Sequence, residues 1–458
     1  MRLTGDEVAK ASRGEWMQGK MPALISGVST DSREFIAGHA FLALRGVTFD
    51  GHQHAAQVAD KACALIGDVA GVASWSALEH TPQLAVQDTL QALGDIAACY
   101  RRKLTQSKVI AITGSYGKTT VRSMLHHVLS GLGLEVSSTQ ENFNNLIGVP
   151  KTLMAVPDHA DVAIIECGIS EVGEMQRLSA IVQPDVVMVT GLTCAHGEGL
   201  GGELGIAREK AKLLTHLSAQ GWCVLGQGVA EQFASIDALP KQEVLDMQGK
   251  LAVTWALQGK RLTLTYQQEQ AELDLSLPAK HWAEDMALVT QTALRLAHDL
   301  EQTWSLQQIT QALQTWQPVA GRMCVSSEDQ GFTLIDDSYN ANPASMQAGL
   351  DTLAALSGHR VAIIGDMLEL GEQAAQLHQC LDLHNIDEVL TVGQLMGSLQ
   401  TKASSQHIRV FKDELALSTW LDSHAFPLSG STVLVKASHG TGLYRIAAKL
   451  KERRQHVI

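Results

Sequence analysis

The stretch Val109-Ile110-Ala111-Ile112-Thr113-Gly114-Ser115-Tyr116-Gly117-Lys118-Thr119-Thr120 decides the fold of the middle of the chain. Its apolar, β-branched start predicts a buried strand, its glycines predict a tight turn, and the residues after it predict an amphipathic helix. This order is typical of a phosphate-binding loop. In such a loop, backbone N–H groups and the helix N-terminus surround phosphate oxygens, the lysine neutralises charge, and a threonine hydroxyl ligates Mg²⁺.

The predicted helix has one apolar face and ends at glycines 131 and 133; the face consists of Val121, Met124, Leu125, Val128 and Leu129. The motif departs from the longer Walker pattern because Ile112 stands at the place of the first glycine. The alternative is an ordinary strand-to-helix turn with a solvated Lys118. We expect the chain to bind ATP or GTP. The expected phosphate contacts are Gly114, Ser115, Gly117, Lys118, Thr119 and Thr120.

Bulk properties limit the class of protein. A chain of 458 residues suggests about three domains. The formal charge of −13, without a long basic run, argues against nucleic acid as the main partner. Seven scattered cysteines without a C-x-x-C pair are typical of packing residues in a reducing compartment. No signal-like start and no apolar run near the ~20 residues of a membrane span is present. We therefore expect a cytoplasmic protein without membrane insertion.

Alternating strands and helices predict an α/β protein of three domains. A small mixed α/β domain is expected over residues 1–82, a central parallel-sheet ATPase domain over 83–315, and a C-terminal Rossmann-like α/β domain over 316–458. Residues 83–103 are expected to form an apolar-striped helix. Residues 250–278 alternate in polarity and predict antiparallel strands at the edge of the central sheet.

Three residues of the predicted central domain are candidates for metal or catalytic chemistry. Glu166 ends an apolar strand, where a carboxylate can hold Mg²⁺ together with Thr119; the alternative is a helix cap or a surface acid. His196 lies in a glycine-rich loop after the next strand, and the alternative is a polar surface histidine. Lys210 falls in the apolar stripe of the predicted helix 205–217, so its pKa is expected to fall. A neutral lysine can react with CO₂ to give a Mg²⁺-binding carbamate; the alternative is a lysine whose ammonium reaches the helix edge.

The segment Asp336-Asp337-Ser338-Tyr339-Asn340-Ala341-Asn342-Pro343 follows a predicted buried strand. Its acid, amide and phenol side chains favour a loop that faces a ligand, although a plain capped loop could look similar.

Together these residues resemble the ATP-dependent Mur ligases of peptidoglycan synthesis, over about residues 27–450. Ser29-Thr30-Asp31-Ser32-Arg33 resembles the family's UDP-binding domain, and Asn142 to Pro150, Gly321-Arg322, Asp336 to Pro343 and Gly365 to Gly371 resemble further family segments. The Asp-Asn-Pro-Arg loop of the diaminopimelate- or lysine-adding branch is absent. The resemblance therefore favours the branch that adds D-alanyl-D-alanine to UDP-N-acetylmuramoyl-tripeptide.

The resemblance also implies roles for residues. Lys118, His196 and Lys210 are expected to be catalytic. Thr119, Glu166, His196 and a carbamylated Lys210 are expected to hold Mg²⁺ at two sites, and Arg322 is expected to contact ATP. The expected substrate contacts are Ser29, Asp31, Ser32, Arg33, Asn145, Asp337, Tyr339, Asn340 and Asn342. The family's adenine-contacting and C-terminal motifs are replaced here by Lys280-His281-Trp282-Ala283-Glu284-Asp285 and by Lys436-Ala437-Ser438-His439.

Other functions stay open at this point. The nearest alternative is a sister ligase of the same superfamily that adds a single amino acid or a folate polyglutamate chain. A regulatory ATPase that forms no peptide bond and a small-molecule kinase are alternatives from other classes. The expectation for the oligomeric state is a monomer, but nothing in the sequence marks an interface, so the state is open.

Overall fold

A computed structural model of the chain describes residues 1–193, 200–247, 252–326, 331–401, 407–423 and 430–452. Within these ranges the chain forms an α/β structure with four sheets, three of which contain mostly parallel strands. None of the helices found there combines the length and the apolar character needed to cross a membrane.

The first sheet belongs to the N-terminal part of the chain. Its five strands lie in the order β1-β5-β4-β3-β2, with only β1 antiparallel to its neighbour. The strands are β1 Glu15–Gln18, β2 Val28–Ser29, β3 Ala40–Leu42, β4 Ala64–Asp68 and β5 Gln83–Val86; the helices are α1 Gly5–Ser12, α2 Val69–Ala73 and the 3₁₀ helix Gly51–Gln57.

The predicted helix over residues 83–103 is wrong at its start. Gln83–Val86 is the strand β5, paired with β1 and β4, and helix α3 begins only at Thr89 and ends at Arg101. The strand forms because all four of its residues are buried in the sheet, and the helix begins where Asp88 caps it by accepting a hydrogen bond from Gln91 N–H. The predicted domain boundary at residue 82 stays a prediction.

The central sheet has six parallel strands in the order β11-β10-β9-β6-β8-β7. The strands are β6 Lys108–Thr113, β7 Val136–Ser138, β8 Val162–Glu166, β9 Val186–Val189, β10 Trp222–Leu225 and β11 Glu243–Asp246; the helices are α4 Lys118–Gly131, α5 Gly148–Ala155, α6 Glu174–Val182, α7 Gly202–Ala211, α8 Val229–Ser235 and the 3₁₀ helix Lys212–His216. Since β6 lies inside the sheet with β8 and β9 on either side, the carboxyl ends of these three strands meet at one edge.

The antiparallel strands predicted for residues 250–278 exist, but they form a separate three-stranded sheet and do not extend the central one. These strands are β12 Thr254–Gln258, β13 Arg261–Tyr266 and β14 Glu269–Asp274, followed by helices α9 Lys280–Asp299 and α10 Leu306–Gln314. The sheet is separate because alternate residues such as Leu262 and Leu264 bury one face in the core that also holds α9.

The C-terminal sheet has the order β15-β16-β20-β17-β18-β19, in which only β15 is antiparallel. The strands are β15 Cys324–Ser326, β16 Thr333–Asp337, β17 His359–Gly365, β18 Glu388–Val392, β19 His407–Phe411 and β20 Ser431–Lys436; the helices are α11 Pro343–Ala354, α12 Ala374–Gln379, α13 Gln394–Gly397, α14 Glu414–Ser423 and α15 Tyr444–Glu452, with 3₁₀ turns at Gly371–Gln373, Ser398–Thr401 and His439–Thr441. The predicted fold class is confirmed.

Candidate active site

The predicted phosphate loop has the expected strand–turn–helix geometry. Strand β6 ends at Thr113 and helix α4 begins at Lys118, with Gly117 as its N-cap at φ 79°. Gly114 has φ 154°, and a Cβ there would lie 2.1 Å from Thr190 Oγ1, so only glycine fits. The Lys118 ammonium donates to the Gly114 carbonyl at 2.7 Å. The Lys118 side chain therefore folds back onto the phosphate loop. It lies beside the N–H groups of the first turn of α4, which have no partner within the helix.

Glu166 meets the phosphate loop at the carboxyl edge of the central sheet. Strand β8 places Glu166 opposite Ile112, and the Thr119 hydroxyl donates to Glu166 Oε2 at 3.2 Å. The Asn144 amide donates to Glu166 Oε1 at 3.0 Å, and Arg122 Nε lies 3.2 Å from Oε2. The carboxylate is only 2 % exposed. A hydroxyl and a carboxylate oxygen side by side are the ligand types that Mg²⁺ prefers, so these two residues fit the predicted metal role.

Lys210 points into the protein, as the helical periodicity predicts. The helix is Gly202–Ala211, continued by the 3₁₀ turn Lys212–His216, and Lys210 is 2 % exposed. Within the described part of the chain its ammonium has no hydrogen bond and no ion pair. Burial lowers the pKa of Lys210 well below its usual value, and the positive charge of Lys118 lowers that pKa further.

The acid next to Lys210 does not neutralise it through a direct contact. Glu209 Oε1 accepts a hydrogen bond from Gly173 N–H at 2.7 Å, at the start of α6, and Oε2 pairs with Lys212 at 2.5 Å. The side chain of Lys210 instead lines the same cavity as Lys118 and Glu166. The buried amine of Lys210 is therefore available to react with, or to bind, a group that enters the cavity.

His196 lies outside the described residues, so its predicted metal role stays a prediction. Among the residues that the structure does describe, no three His, Cys, Asp or Glu side chains come together in a metal-binding group. A cation beside Thr119 and Glu166 would therefore need further oxygen ligands, such as phosphate, water or a modified side chain.

The predicted ligand-facing loop of the C-terminal domain reaches the phosphate loop. Asn342 caps helix α11, and its Nδ2 donates to the Ser115 carbonyl at 3.1 Å. The Arg322 guanidinium stacks over the Tyr339 ring at 4.2 Å. The Asn342–Ser115 contact brings the start of the C-terminal domain against the loop that precedes α4.

Asp337 is held in a buried ion pair. Lys436 Nζ lies 2.6 Å from Asp337 Oδ2 and also donates to the Asn340 carbonyl at 3.1 Å. Burial raises the pKa of Asp337 and lowers the pKa of Lys436, while the attraction between them opposes both shifts. The pair fixes the backbone of the loop. The predicted substrate contact of Asp337 stays a prediction.

One cavity of about 890 Å³ contains most of the predicted site. The predicted residues that line it are Ser115, Gly117, Lys118, Thr119, Thr120, Asn145, Glu166, Lys210, Arg322, Asp337, Tyr339, Asn340 and Asn342. Asn145 also accepts hydrogen bonds from the N–H groups of Ile147 and Gly148, which orders the start of α5. Residues more than 200 positions apart in the sequence thus converge on one space.

The predicted N-terminal contacts lie elsewhere. Ser29, Asp31, Ser32 and Arg33 line neither this cavity nor a second cavity of about 940 Å³ beside it. Arg33 Nε and Nη2 donate to the Asp31 carboxylate at 2.9 and 2.5 Å, which lowers the pKa of Asp31 to about 2. The Ser29 hydroxyl lies 3.3 Å from His39 Nδ1.

Sequence reasoning missed several residues of the cavity. Asp285 on α9 is buried, and a Cβ on Gly117 would lie 3.2 Å from its Oδ1. Burial raises the pKa of Asp285 well above its usual value, and Glu284 raises it further. The sequence places Asp285 in the segment that replaces the family's adenine-contacting motif, but it assigns Asp285 no role. Asn144 and Arg122, which contact Glu166, could have been found from their places next to Asn145 and one turn after Lys118.

Three family models match the chain. A model described as the Mur ligase family catalytic domain matches residues 24–101, the Mur ligase middle domain matches 112–293, and the Mur ligase glutamate ligase domain matches 321–439.

Relatives along nearly the whole chain agree with these matches. The UDP-N-acetylmuramoyl-tripeptide--D-alanyl-D-alanine ligase of Escherichia coli is 30% identical over 93% of this chain and 94% of that protein. The ligase of the same name from Synechocystis is 34% identical over 93% of this chain and 92% of that protein.

Solved structures give the same result. A crystal structure of MurF from Acinetobacter baumannii has a TM-score of 0.85 and 30% identity, covering 99% of both chains. MurF from Thermotoga maritima, in complex with ADP, has a TM-score of 0.78 over 94% of this chain and 98% of that one; at 22% identity it supports the fold.

Proposed function

The chain belongs to the Mur ligase family, and we propose that it adds D-alanyl-D-alanine to UDP-N-acetylmuramoyl-tripeptide at the expense of ATP, giving the UDP-linked pentapeptide of peptidoglycan synthesis. The observation that carries the proposal is the convergence of the phosphate loop, the Thr119–Glu166 pair, Lys210 and the Arg322–Asn342 region on one cavity. Relatives with this activity align over more than nine tenths of the chain.

The phosphate loop would bind and orient ATP. The N–H groups at the start of α4 and the Lys118 ammonium face the space where phosphate oxygens fit, so the ammonium exchanges its bond to the Gly114 carbonyl for a phosphate contact. Arg322, stacked on Tyr339, supplies a second positive charge from the C-terminal domain. Because ATP and the tripeptide carboxylate are both anionic, most of the rate gain must come from positioning and charge stabilisation.

Thr119 and Glu166 would hold Mg²⁺ against the nucleotide. Bound there, Mg²⁺ withdraws charge from the terminal phosphate. Asn144 and Arg122 keep the Glu166 carboxylate in place through its two oxygens. A second Mg²⁺ site would use Lys210 and His196.

Lys210 would act as a carbamate. Its neutral amine attacks the carbon of CO₂, an N–C bond forms, one proton leaves, and the side chain gains a carboxylate-like anion. The absence of a direct charge partner in the described residues supports this proposal, since a buried anion next to Lys118 and a cation would be stabilised there.

The ligation would proceed in three chemical steps. The terminal carboxylate of the tripeptide attacks the γ-phosphorus, the bond to ADP breaks, and an acyl phosphate forms. The free amine of D-alanyl-D-alanine then attacks the acyl carbon and loses a proton. The tetrahedral intermediate collapses, the bond from the acyl carbon to the phosphate oxygen breaks, and a peptide bond remains. Water must be excluded to protect the acyl phosphate. The Asn342–Ser115 hydrogen bond, which joins the C-terminal domain to the phosphate loop, would contribute to this exclusion.

Phosphate release tests the proposal. The enzyme is mixed with ATP, Mg²⁺, UDP-N-acetylmuramoyl-tripeptide and D-alanyl-D-alanine, and each acceptor is omitted in turn. Release that needs both acceptors, with a product heavier than the tripeptide by one dipeptide residue, is expected. Release without any acceptor would indicate a regulatory ATPase, and release only with another amine would indicate a sister branch.

A further inference from the structure

A short turn after strand β17 forms part of the wall of the cavity of about 890 Å³. Strand β17 ends at Gly365, and residues 368–370, which we call the wall turn, line the cavity. Glu369 has φ 64° and Gly371 has φ 59°, so the backbone here passes through the left-handed region, which is unfavourable for a residue with a Cβ such as Glu369. The conformation of the wall turn therefore depends on contacts with the rest of the domain.

One of these contacts comes from a buried histidine. His378 lies on helix α12 and is 0 % exposed. Its Nε2 accepts a hydrogen bond from the backbone N–H of Met367 at 2.9 Å, and its Nδ1 lies 2.6 Å from the Ala374 carbonyl oxygen. A carbonyl oxygen only accepts and an amide N–H only donates, so these two partners assign the proton to Nδ1 and leave Nε2 as the acceptor. His378 thus holds the residue that precedes the wall turn.

A second contact holds the wall turn from the other side. The backbone N–H of Leu368 donates to Ser438 Oγ at 2.9 Å, and this hydroxyl donates to the Ala341 carbonyl at 3.2 Å. The Ser438 N–H also donates to the Asp366 carbonyl at 3.2 Å. Ser438 therefore ties the wall turn to the loop after β20 and to the ligand-facing loop, whereas His378 ties it to α12.

The wall turn places apolar side chains where water has to be excluded. Leu368 and Leu370 line the same cavity as Lys118 and Glu166, the residues proposed to bind phosphate and Mg²⁺. Apolar side chains offer water no hydrogen-bond partners, whereas an acyl phosphate formed in this cavity is open to attack by any water that enters. A wall turn that moves away would therefore admit water to the acyl phosphate.

We propose that His378 is a positioning residue for the ligation: its Nε2 holds Met367, and through Met367 it keeps the wall turn in the place where it excludes water. His378 itself lines neither this cavity nor the second cavity, so it acts through the backbone and not by touching a substrate. The inference rests on the proposed function, since the intermediate to be protected belongs to that reaction.

Loss of the hydrogen bond to Met367 would let water compete with the amine of the dipeptide. Water adds to the acyl carbon, the bond from that carbon to the phosphate oxygen breaks, and the tripeptide carboxylate, phosphate and a proton are released. ATP is then consumed without formation of a peptide bond. The diagnostic quantity is therefore the number of phosphates released for each UDP-linked pentapeptide formed.

The test compares two amide substitutions of His378 in the full reaction with ATP, Mg²⁺, UDP-N-acetylmuramoyl-tripeptide and D-alanyl-D-alanine. In His378→Asn the amide nitrogen can take the place of Nδ1 and keep the bond to Ala374, but the side chain is too short to reach Met367. In His378→Gln the amide oxygen can take the place of Nε2 and accept from Met367. Wild type should release one phosphate for each pentapeptide. His378→Asn should raise this ratio by about 2- to 10-fold, the range expected for one lost hydrogen bond, and His378→Gln should bring it back toward one.

The ratio separates positioning from a general loss of structure. A purely structural effect lowers phosphate release and pentapeptide formation together and leaves the ratio at one. The extra phosphate in His378→Asn should also require the UDP-tripeptide, because the acyl phosphate forms on its carboxylate. His384→Asn is the matched control, since His384 is an exposed histidine of the same domain that bonds to Asp382, and its ratio should equal that of wild type.

A second variant carries the test if His378→Asn does not fold. Leu368 is 44 % exposed, so Leu368→Ala should fold, and it should raise the ratio because it opens the wall turn directly. An unchanged ratio in folded His378→Asn or in Leu368→Ala overturns the inference, and so does an equal rise in His378→Asn and His378→Gln. If wild type forms no pentapeptide, the proposed function fails and the inference fails with it. Pentapeptide formation with an unchanged ratio in the variants removes only the role of His378.

Discussion

Two buried lysines that line the same cavity have opposite surroundings. Lys436 in the C-terminal domain lies 2.6 Å from Asp337 and also donates to the Asn340 carbonyl. Lys210 in the central domain is equally buried but has no direct partner among the described residues. Burial lowers the pKa of both, but only the pKa of Lys436 is raised in part by a contacting acid.

The difference indicates that Lys436 stabilises the fold, whereas Lys210 is available for a chemical reaction or for a ligand. Burying a charge without a partner costs free energy. A buried lysine without a counter-charge is therefore expected either to lose its proton or to bind a ligand. Lys436 already has its counter-charge and orders the loop before Asn342. Lys210 lacks one, which is why a carbamate is proposed there.

The largest expected effect on activity comes from replacing Lys210. Lys210→Ala should lower kcat by about 100-fold or more, because an anion that helps hold metal against the transferring phosphate is lost. The melting temperature should change little, because Lys210 lines the cavity and its truncation enlarges that existing space. Arg208→Ala, on the exposed side of the same helix, is the control and should keep its activity. Near-wild-type turnover of Lys210→Ala would exclude the carbamate role.

Replacing Lys436 is expected to lower the stability of the protein. Lys436→Met leaves the Asp337 carboxylate buried and unpaired and should destabilise the protein by about 3–5 kcal/mol. The double variant Lys436→Met with Asp337→Asn should recover much of that loss, because no lone charge remains. Chemical denaturation measures both. An unchanged midpoint for the single variant would show that the ion pair does not hold the fold.

Asp285 is a buried acid without a hydrogen-bond partner among the described residues. We expect the effect of Asp285 on the stability of the protein to depend on pH. Its folded pKa is raised above the unfolded value of 3.8, so folding carries no penalty below that pH and an increasing one as pH rises toward the folded pKa. Asp285→Asn should therefore raise the melting temperature at pH 8 but not at pH 4. A gain that is the same at both pH values would mean that ionisation is not its cause.

The smallest effect on stability is expected at the N-terminal ion pair. Arg33 is exposed and its partner Asp31 precedes it by two residues, so Arg33→Ala should leave the melting temperature unchanged. If the predicted UDP contact is real, KM for the UDP-tripeptide should rise while KM for the dipeptide stays the same. Steady-state kinetics with each substrate varied separately decide this.

Local patterns predict the geometry of the phosphate loop and the burial of Lys210. The strand, glycine turn and helix at residues 109–131 are adjacent in sequence. The inward orientation of Lys210 follows from helical periodicity alone. Contacts between distant segments could not be predicted in this way. Ser115 and Asn342 are 227 positions apart, and the Lys436–Asp337 pair spans 99. The helix predicted for residues 83–86 is wrong because a short apolar run fits a buried strand as well as a helix.

The most direct test of the contrast between the two lysines is ¹³C NMR of the protein equilibrated with ¹³C-bicarbonate. We expect a carbamate resonance in wild type that persists in Asp337→Asn and disappears in Lys210→Ala. A spectrum without this resonance, or one in which it survives the loss of Lys210, would contradict the proposed role of the unpaired lysine.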